Sequence, residues 1–247
     1  MEKRIVHDRT TGIIAEYFSG LSQPFPAHFH KELVIGLMEH GTRVLTIFET
    51  ETTLKPGTLF LLPPWCAHAC FCENSQSTSW RTLRVPCTWQ PAQTVLNSPQ
   101  LNAVFIEIHE QALAGQLSQE ALGSFLRLVK AEAGTRMDPV DPSAKTLLDC
   151  LQTACGLPVH LQDLPALCGY SPASAQRLLG RTTGLSVHRA LECLRIEKAR
   201  ALLLEGASPA QAAVQSGFAD QPHFTNVFSL FMGITPRRWI SQKGEHS

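Results

Sequence analysis

Cys168-Gly169-Tyr170-Ser171-Pro172 and Ser216-Gly217-Phe218 decide how this chain is read. Each is followed at almost the same distance by a second glycine. Gly184-Leu185-Ser186 begins fifteen residues after Gly169, and Gly233-Ile234-Thr235 sixteen after Gly217. The plan is helix, glycine, aromatic, capped helix, glycine, apolar residue, hydroxyl, and it occurs twice. Glycine ends a helix by taking positive φ. Ser171-Pro172, Ser208-Pro209 and Thr235-Pro236 open helices, with the hydroxyl as cap and proline at a position whose N–H has no helical partner. Asp220-Gln221 opens another with Asp as cap. Between the repeats, Val187 to Leu204 has apolar residues at 187, 190, 191, 194, 199, 202 and 203, the pattern of an amphipathic helix. Its eighteen residues span about 27 Å. One glycine-cornered helix pair suits a generic bundle. Two in phase on such a strut suit paired helix-turn-helix units, whose second helices enter successive major grooves roughly 34 Å apart.

Working outward, the rest of the chain reads differently. In the first ninety or so residues Val34, Ile35, Leu37, Val44, Leu45, Ile47 and Phe48 lie in short runs punctuated by Gly36, Gly41, Gly57, Pro56, Pro63 and Pro64. These are the strands and turns of a small barrel or sandwich. Val104, Phe105, Ile108 and Leu113 then follow a helical period, as do Leu122, Phe125, Leu126 and Val129 after a cap at Ser118. Gly134 to Pro142, with Asp138-Pro139 and Asp141-Pro142, is a linker or sharp turn. The expected fold class is a two-domain α+β chain. Residues 1–92 form a sensory β-barrel, 93–142 a helical dimerisation and linker region, and 143–247 an all-α domain with two helix-turn-helix units joined by a long helix.

Bulk properties narrow the function. The 247 residues are 44% hydrophobic and 17% charged, as in soluble globular proteins. No run reaches the length of a membrane helix, so no membrane partner is expected. The start, Met1-Glu2-Lys3-Arg4, leads into no apolar leader segment, and a cytoplasmic location is expected. The eight cysteines are then expected as thiols, with Cys150, Cys155, Cys168 and Cys193 as small core residues. From His160 onward nine Lys/Arg oppose six Asp/Glu, whereas twelve oppose fifteen before it. A basic C-terminal part on an acidic N-terminal part suits a nucleic-acid binder with a separate partner domain.

Residues from about His160 to Ile240 resemble the AraC/XylS family of transcription regulators. The resemblance is carried by Leu164-Pro-Ala-Leu-Cys-Gly-Tyr-Ser-Pro172, Leu194-Arg-Ile-Glu-Lys-Ala-Arg-Ala-Leu-Leu-Leu204, Gly217-Phe-Ala-Asp-Gln-Pro-His-Phe224 and the run from Phe228 to Gly233-Ile-Thr-Pro236. It implies double-stranded DNA as partner. Contacts would come from Ala173, Gln176 and Arg177 in the first unit, with Arg181 near phosphates, and from Gln221, His223, Thr225 and Asn226 in the second. Asn226 and Ser229 stand where the family commonly has Arg and Lys, Ala175 where it has Leu, and Pro222 where it has a small polar residue. Two missing cations predict a salt slope lower by roughly one to two, and Asn226 can instead read adenine.

The β unit resembles the cupin-like sensory domains that precede such DNA-binding domains, through His28-Phe29-His30 and through Gly57, Pro63, Trp65 and His68. Trp65 replaces a usual glycine, and the usual downstream glutamate has no clear match. Alternation on a strand can turn His28, His30 and Glu32 one way, and His68, Cys70 and Cys72 another. Together they would suit Zn²⁺ or another transition metal. Against this stands a plain effector pocket with hydrogen-bonded histidines. Its candidate liners are His28, His30, Trp65 and Arg81, with Phe29, Phe71 and Trp80, and Arg43, Arg81 or Arg84 could hold a carboxylate.

The leading expectation is a sequence-specific, effector-responsive transcription regulator and no enzyme, answering to a small molecule or a metal. Its further partners would be a second copy of itself, packed through Leu122, Phe125, Leu126 and Val129, and RNA polymerase. That same face could equally pack on the chain's own barrel. A thiol-based redox or electrophile sensor triggered at Cys66, Cys70 or Cys72 is one alternative. A metal-dependent cupin enzyme is another, and it would have no need of the duplicated C-terminal motif.

Overall fold

Among the described residues, turns cut the first hundred positions into ten strands: β1 (Glu2–His7), β2 (Ile14–Leu21), β3 (Phe25–His28), β4 (Leu33–His40), β5 (Arg43–Ile47), β6 (Thr50–Leu54), β7 (Leu59–Leu62), β8 (His68–Phe71), β9 (Thr78–Val85) and β10 (Val95–Leu96). They belong to a computed structural model that describes residues 2–8, 11–47, 49–72, 76–136, 141–157 and 163–241. Asp138-Pro139, in the expected linker, lies outside the described residues. One sheet has six strands in the order β1-β2-β9-β4-β7-β10, and the other has four in the order β3-β8-β5-β6. All the pairings are antiparallel.

The larger sheet is covered on both faces, which is why Leu59-Phe-Leu-Leu62 is an unbroken apolar run. Val34, Met38, Phe60, Leu62 and Trp80 face the smaller sheet across an inner core. Leu33, Ile35, Leu37, Leu59, Leu61 and Leu83 face α1 (Pro99–Leu113) and α2 (Gln119–Ala133). Gly36 lies under the Phe60 ring, where an added Cβ would come within 2.1 Å of a ring carbon.

Leu122, Phe125 and Val129 are buried in that outer core, with Leu126 partly buried beside them. Of the two surfaces that could cover this face, a second protomer or the chain's own barrel, it is the chain's own sheet that does so. The apolar stripe predicted a buried surface correctly, but a stripe does not say which surface covers it.

The C-terminal part holds α3 (Pro142–Ala154), α4 (Leu164–Leu167), α5 (Pro172–Thr183), α6 (Val187–Leu204), α7 (Pro209–Gln215), α8 (Gln221–Met232) and α9 (Pro236–Ser241). The expected caps Ser171, Ser208, Asp220 and Thr235 each accept a backbone N–H, as does Ser186 at the head of α6, and Gly184 and Gly233 close α5 and α8 in the left-handed region. Gly217 turns the second corner at φ +80°, and a Cβ there would stand 2.4 Å from the Cys155 carbonyl oxygen. The expectation of thiols throughout fails at one pair, because a disulfide joins Cys150 to Cys168 with Cα atoms 5.8 Å apart. Both cysteines sit in apolar helical patterns, so pattern alone gives burial and not the encounter of α4 with α3. Cys155 and Cys193 are buried free thiols. The helical core also takes in Ile5, Ile14, Phe29 and Ala67, so the C-terminal half packs directly on the β domain.

Candidate effector cavity and DNA-reading surface

Between the two sheets lies a cavity of about 90 Å³. Its inner wall is apolar, with Phe18 stacked on Trp80 at 4.6 Å and Phe25 edge-on to the same indole. Its outer wall is polar, with His28, His30, His68, Lys3, Glu16 and Arg84, and Phe231 and Met232 of α8 complete it. Strand parity sets this arrangement: Trp80, Thr82 and Arg84 of β9 point inward, and Arg81 and Leu83 point to the helical layer. Arg43 is buried in the wall, and its guanidinium is committed to Cys70 Sγ, Thr78 Oγ1 and the carbonyls of Gln23 and Cys70.

The three histidines meet because His28 and His68 are register partners on β3 and β8, and His30 follows two residues on. Ring centroids lie 4.4–5.1 Å apart. Nδ1 of His28 lies 2.7 Å from the Pro26 carbonyl oxygen, Nδ1 of His68 3.1 Å from that of Cys66, and Nδ1 of His30 3.1 Å from Glu197 Oε1. Burial pulls the His28 pKa down to about 4 and those of His30 and His68 well below their usual value. All three are neutral imidazoles at neutral pH.

Beside them runs a buried ion network between the two halves of the molecule. Glu16 pairs with Arg84 at 2.9 Å and Lys3 at 3.5 Å. Glu197 on α6 pairs with Arg84 at 3.3 Å and with Arg200, which also holds Glu32 at 2.9 Å. Burial alone would raise the Glu16 and Glu197 carboxyls, but the neighbouring cations outweigh it and hold both below the usual carboxylate range. Burial lowers Lys3 to about 7. Its Nζ lies over the rings of Phe18 and Trp239 and 3.5 Å from the Met232 carbonyl oxygen. Taking charges out of water is costly unless each is paired, so this network favours one docked arrangement. The Ala67 N–H adds a 3.0 Å bond to the Thr183 carbonyl at the end of α5.

In the C-terminal half, α5 exposes Ala173, Gln176, Arg177 and Arg181, and α8 exposes Gln221, His223 and Asn226, with Thr225 half-buried. Arg177 is anchored lightly, by Nη2 to Ser174 Oγ at 3.3 Å. Gln176 Oε1 accepts from the Val187 N–H at 3.1 Å, which leaves its amide N–H groups to donate. Ser229 is turned toward its own helix, where its Oγ donates to the Thr225 carbonyl.

Residues 166–242 match the helix-turn-helix domain family, and residues 13–136 match the AraC-like ligand binding domain. This chain belongs to the AraC family of transcription regulators. The uncharacterized HTH-type transcriptional regulator YbfI of Bacillus subtilis is 31% identical over 235 residues, covering 85% of each chain. The HTH-type transcriptional activator RhaR of Cronobacter sakazakii is 31% identical over 108 residues, covering 42% of this chain and 38% of RhaR. In fold the chain is similar to the unsaturated fatty acid-bound structure of ToxT from Vibrio cholerae, with TM-score 0.68 and 15% identity over 93% of this chain and 95% of ToxT. The regulator reading thus stands over the enzyme reading.

Within this family member the cavity differs in detail from the sequence expectation. Arg81 is not a liner: it pairs with Glu39 and Glu110 on the helical side, one residue out of phase with the inward positions. Trp65, at φ +63°, packs on Phe29 and lines a separate cleft with Cys66, Arg136 and Arg181. Phe29 belongs to the helical core and Phe71 is exposed. Glu32 leaves the histidines for Arg200, because β3 ends at His28 and alternation does not carry beyond it. Cys70 stays on the cavity wall, bonded to Arg43, and Cys72 lies past the end of β8 near Thr78. Burial pushes the Cys66 thiol up to about 11 and raises Cys70 as well, which is the opposite of a poised thiolate. Arg43 and Arg84 are buried rather than solvated. Sequence reading missed Lys3, Glu16, Glu197 and Arg200. Lys3 stands between Glu2 and Arg4, and Glu197 and Arg200 share α6 with Arg189, Glu192, Arg195 and Lys198, so local pattern did not single them out.

Proposed function

We propose that the chain is an effector-responsive regulator of the AraC type. It reads double-stranded DNA through Ala173, Gln176, Arg177 and Arg181 of the first unit and Gln221, His223, Thr225 and Asn226 of the second. Its effector, a small molecule or a metal ion, occupies the cavity between the sheets. One observation carries this reading: Phe231 and Met232 of α8 are part of the cavity wall. A ligand there touches the sensory half and the second reading helix together, so its affinity must differ between docked and undocked states, as a population shift requires.

ToxT, of similar fold, is described as bound to an unsaturated fatty acid. The present cavity, at about 90 Å³, has the volume of about three liquid waters. Without expansion it suits a compact apolar molecule better than a long acyl chain. The regulator acts in the cytoplasm, as a homodimer, and contacts RNA polymerase. With Leu122, Phe125 and Val129 covered, Leu128 of α2 and Ile106 of α1 are large apolar side chains left outside.

Genome-wide binding followed by gel shift on the recovered duplexes tests the reading. The expected result is discrete sites whose occupancy changes when Phe231 is replaced by Ala. Binding spread evenly over the genome would overturn it.

A further inference from the structure

The histidine cluster is arranged as metal ligands are arranged. Each Nδ1 faces an acceptor, two of them backbone carbonyls and the third the Glu197 carboxylate. A ring that donates from Nδ1 presents Nε2 as a lone pair. The Nε2 of His68 is buried and has no hydrogen-bond partner. The candidate ligand nitrogens all lie within 4.8 Å of one another. A tetrahedral ion with bonds of 2.0–2.1 Å sets its nitrogens about 3.3 Å apart, which small side-chain rotations reach. Buried imidazoles with their outer nitrogens fixed by acceptors, as in His28 and His68, are what a first-row transition ion selects; beside His30 Nδ1 stand both an acceptor, Glu197, and a donor, Arg84.

We infer that His28, His30 and His68 form a transition-metal site whose outer carboxylate, Glu197, is supplied by the DNA-binding half. The inference deepens the reading of this cavity as the effector site and rests on it. His30 Nδ1 has two neighbours, Glu197 Oε1 at 3.1 Å and Arg84 Nη1 at 2.8 Å. Without an ion the ring can accept from Arg84. An ion on Nε2 requires Nδ1–H, which only Glu197 can accept. Arg84 keeps Glu16 in either case. Ion binding therefore strengthens the His30–Glu197 bond that joins β domain to strut helix, and the docked arrangement with it. Glu197 is a positioning residue in this scheme, and the fourth coordination position opens on the apolar cavity.

The test is Co²⁺ titration of untagged, chelator-treated full-length protein, read by visible absorption. One saturable equivalent is expected, displaced by Zn²⁺. His68→Ala should lose it by at least about a hundredfold, and Glu197→Gln should weaken it about 10- to 100-fold. Circular dichroism confirms folding, and His28→Gln replaces His68→Ala if that variant does not fold. No saturable absorption, or binding undiminished in the histidine variants, overturns the site. Wild-type affinity in Glu197→Gln overturns the link to the DNA-binding half. The effector reading fails separately, if metal-loaded and metal-free proteins bind their operator duplex identically while the cobalt spectrum is present.

Discussion

In the second helix-turn-helix unit, Ser208 and Gln211 cap each other's backbone, and Ala212, Ala213, Phe218 and Phe224 are buried around the corner. In the first, α4 is a single turn whose Asp163 makes no side-chain cap bond, and a disulfide ties its end to α3. The reading helices differ in the opposite sense. α5 presents Arg177 and Arg181 to solvent, whereas α8 presents no Lys or Arg at all. α8 instead spends its C-terminal turn on the sensory half, with Phe231 edge-on to His28 and the Met232 carbonyl near Lys3. The unit that is internally better held carries the cavity wall, and the more loosely held unit carries the charge. On the proposed reading, this would give base reading mainly to the first unit and communication with the effector to the second.

The comparison can be broken most forcefully at Phe224, which is fully buried among Phe218 and Phe228. Phe224→Ala should cost ~3–5 kcal/mol of stability, measured by urea unfolding. A cost below ~1 kcal/mol would mean that the second unit is not held by this core. Cys168→Ser opens an eighteen-residue separation and should cost roughly 2–3 kcal/mol. Its amide-exchange protection should fall in α4 and not in α7, and uniform loss would contradict the proposed weak point. A control lies outside both units. His109, with Nε2 at 3.0 Å from the Glu16 carbonyl oxygen, is lowered to about 4 by burial. The unfolded chain takes up this proton near pH 6.5 and the folded chain only near 4, so stability is full above 6.5 and declines as pH falls between the two, by roughly 3 kcal/mol. His109→Gln should flatten part of that decline without altering DNA affinity at pH 7.5. The smallest effect is expected at Asn226: Asn226→Arg should steepen the salt dependence of DNA binding by about one, with little change in discrimination.

Local signals carried much of the fold. Caps at Ser171, Ser208 and Asp220, the glycines at 184 and 233 and the strut from Val187 to Leu204 were legible because each is a short-range device. The inner cavity was half legible: His28, His30 and His68 were named, and Glu32, Cys72 and Arg81 failed because strand ends and parity cannot be placed to one residue from alternation alone. The network of Lys3, Glu16, Glu197 and Arg200 was illegible. Its members are up to almost two hundred residues apart, and each is meaningful only once the two halves are docked.

The division of labour is tested most directly by measuring affinity for an operator duplex and for a scrambled duplex of equal length, at several salt concentrations. Arg177→Ala and Asn226→Ala are compared on the same pair. The account predicts that Arg177→Ala loses ~1–3 kcal/mol of discrimination, about 5- to 150-fold, with its footprint gone, while Asn226→Ala stays within about threefold of wild type. Discrimination kept by Arg177→Ala and lost by Asn226→Ala would contradict it.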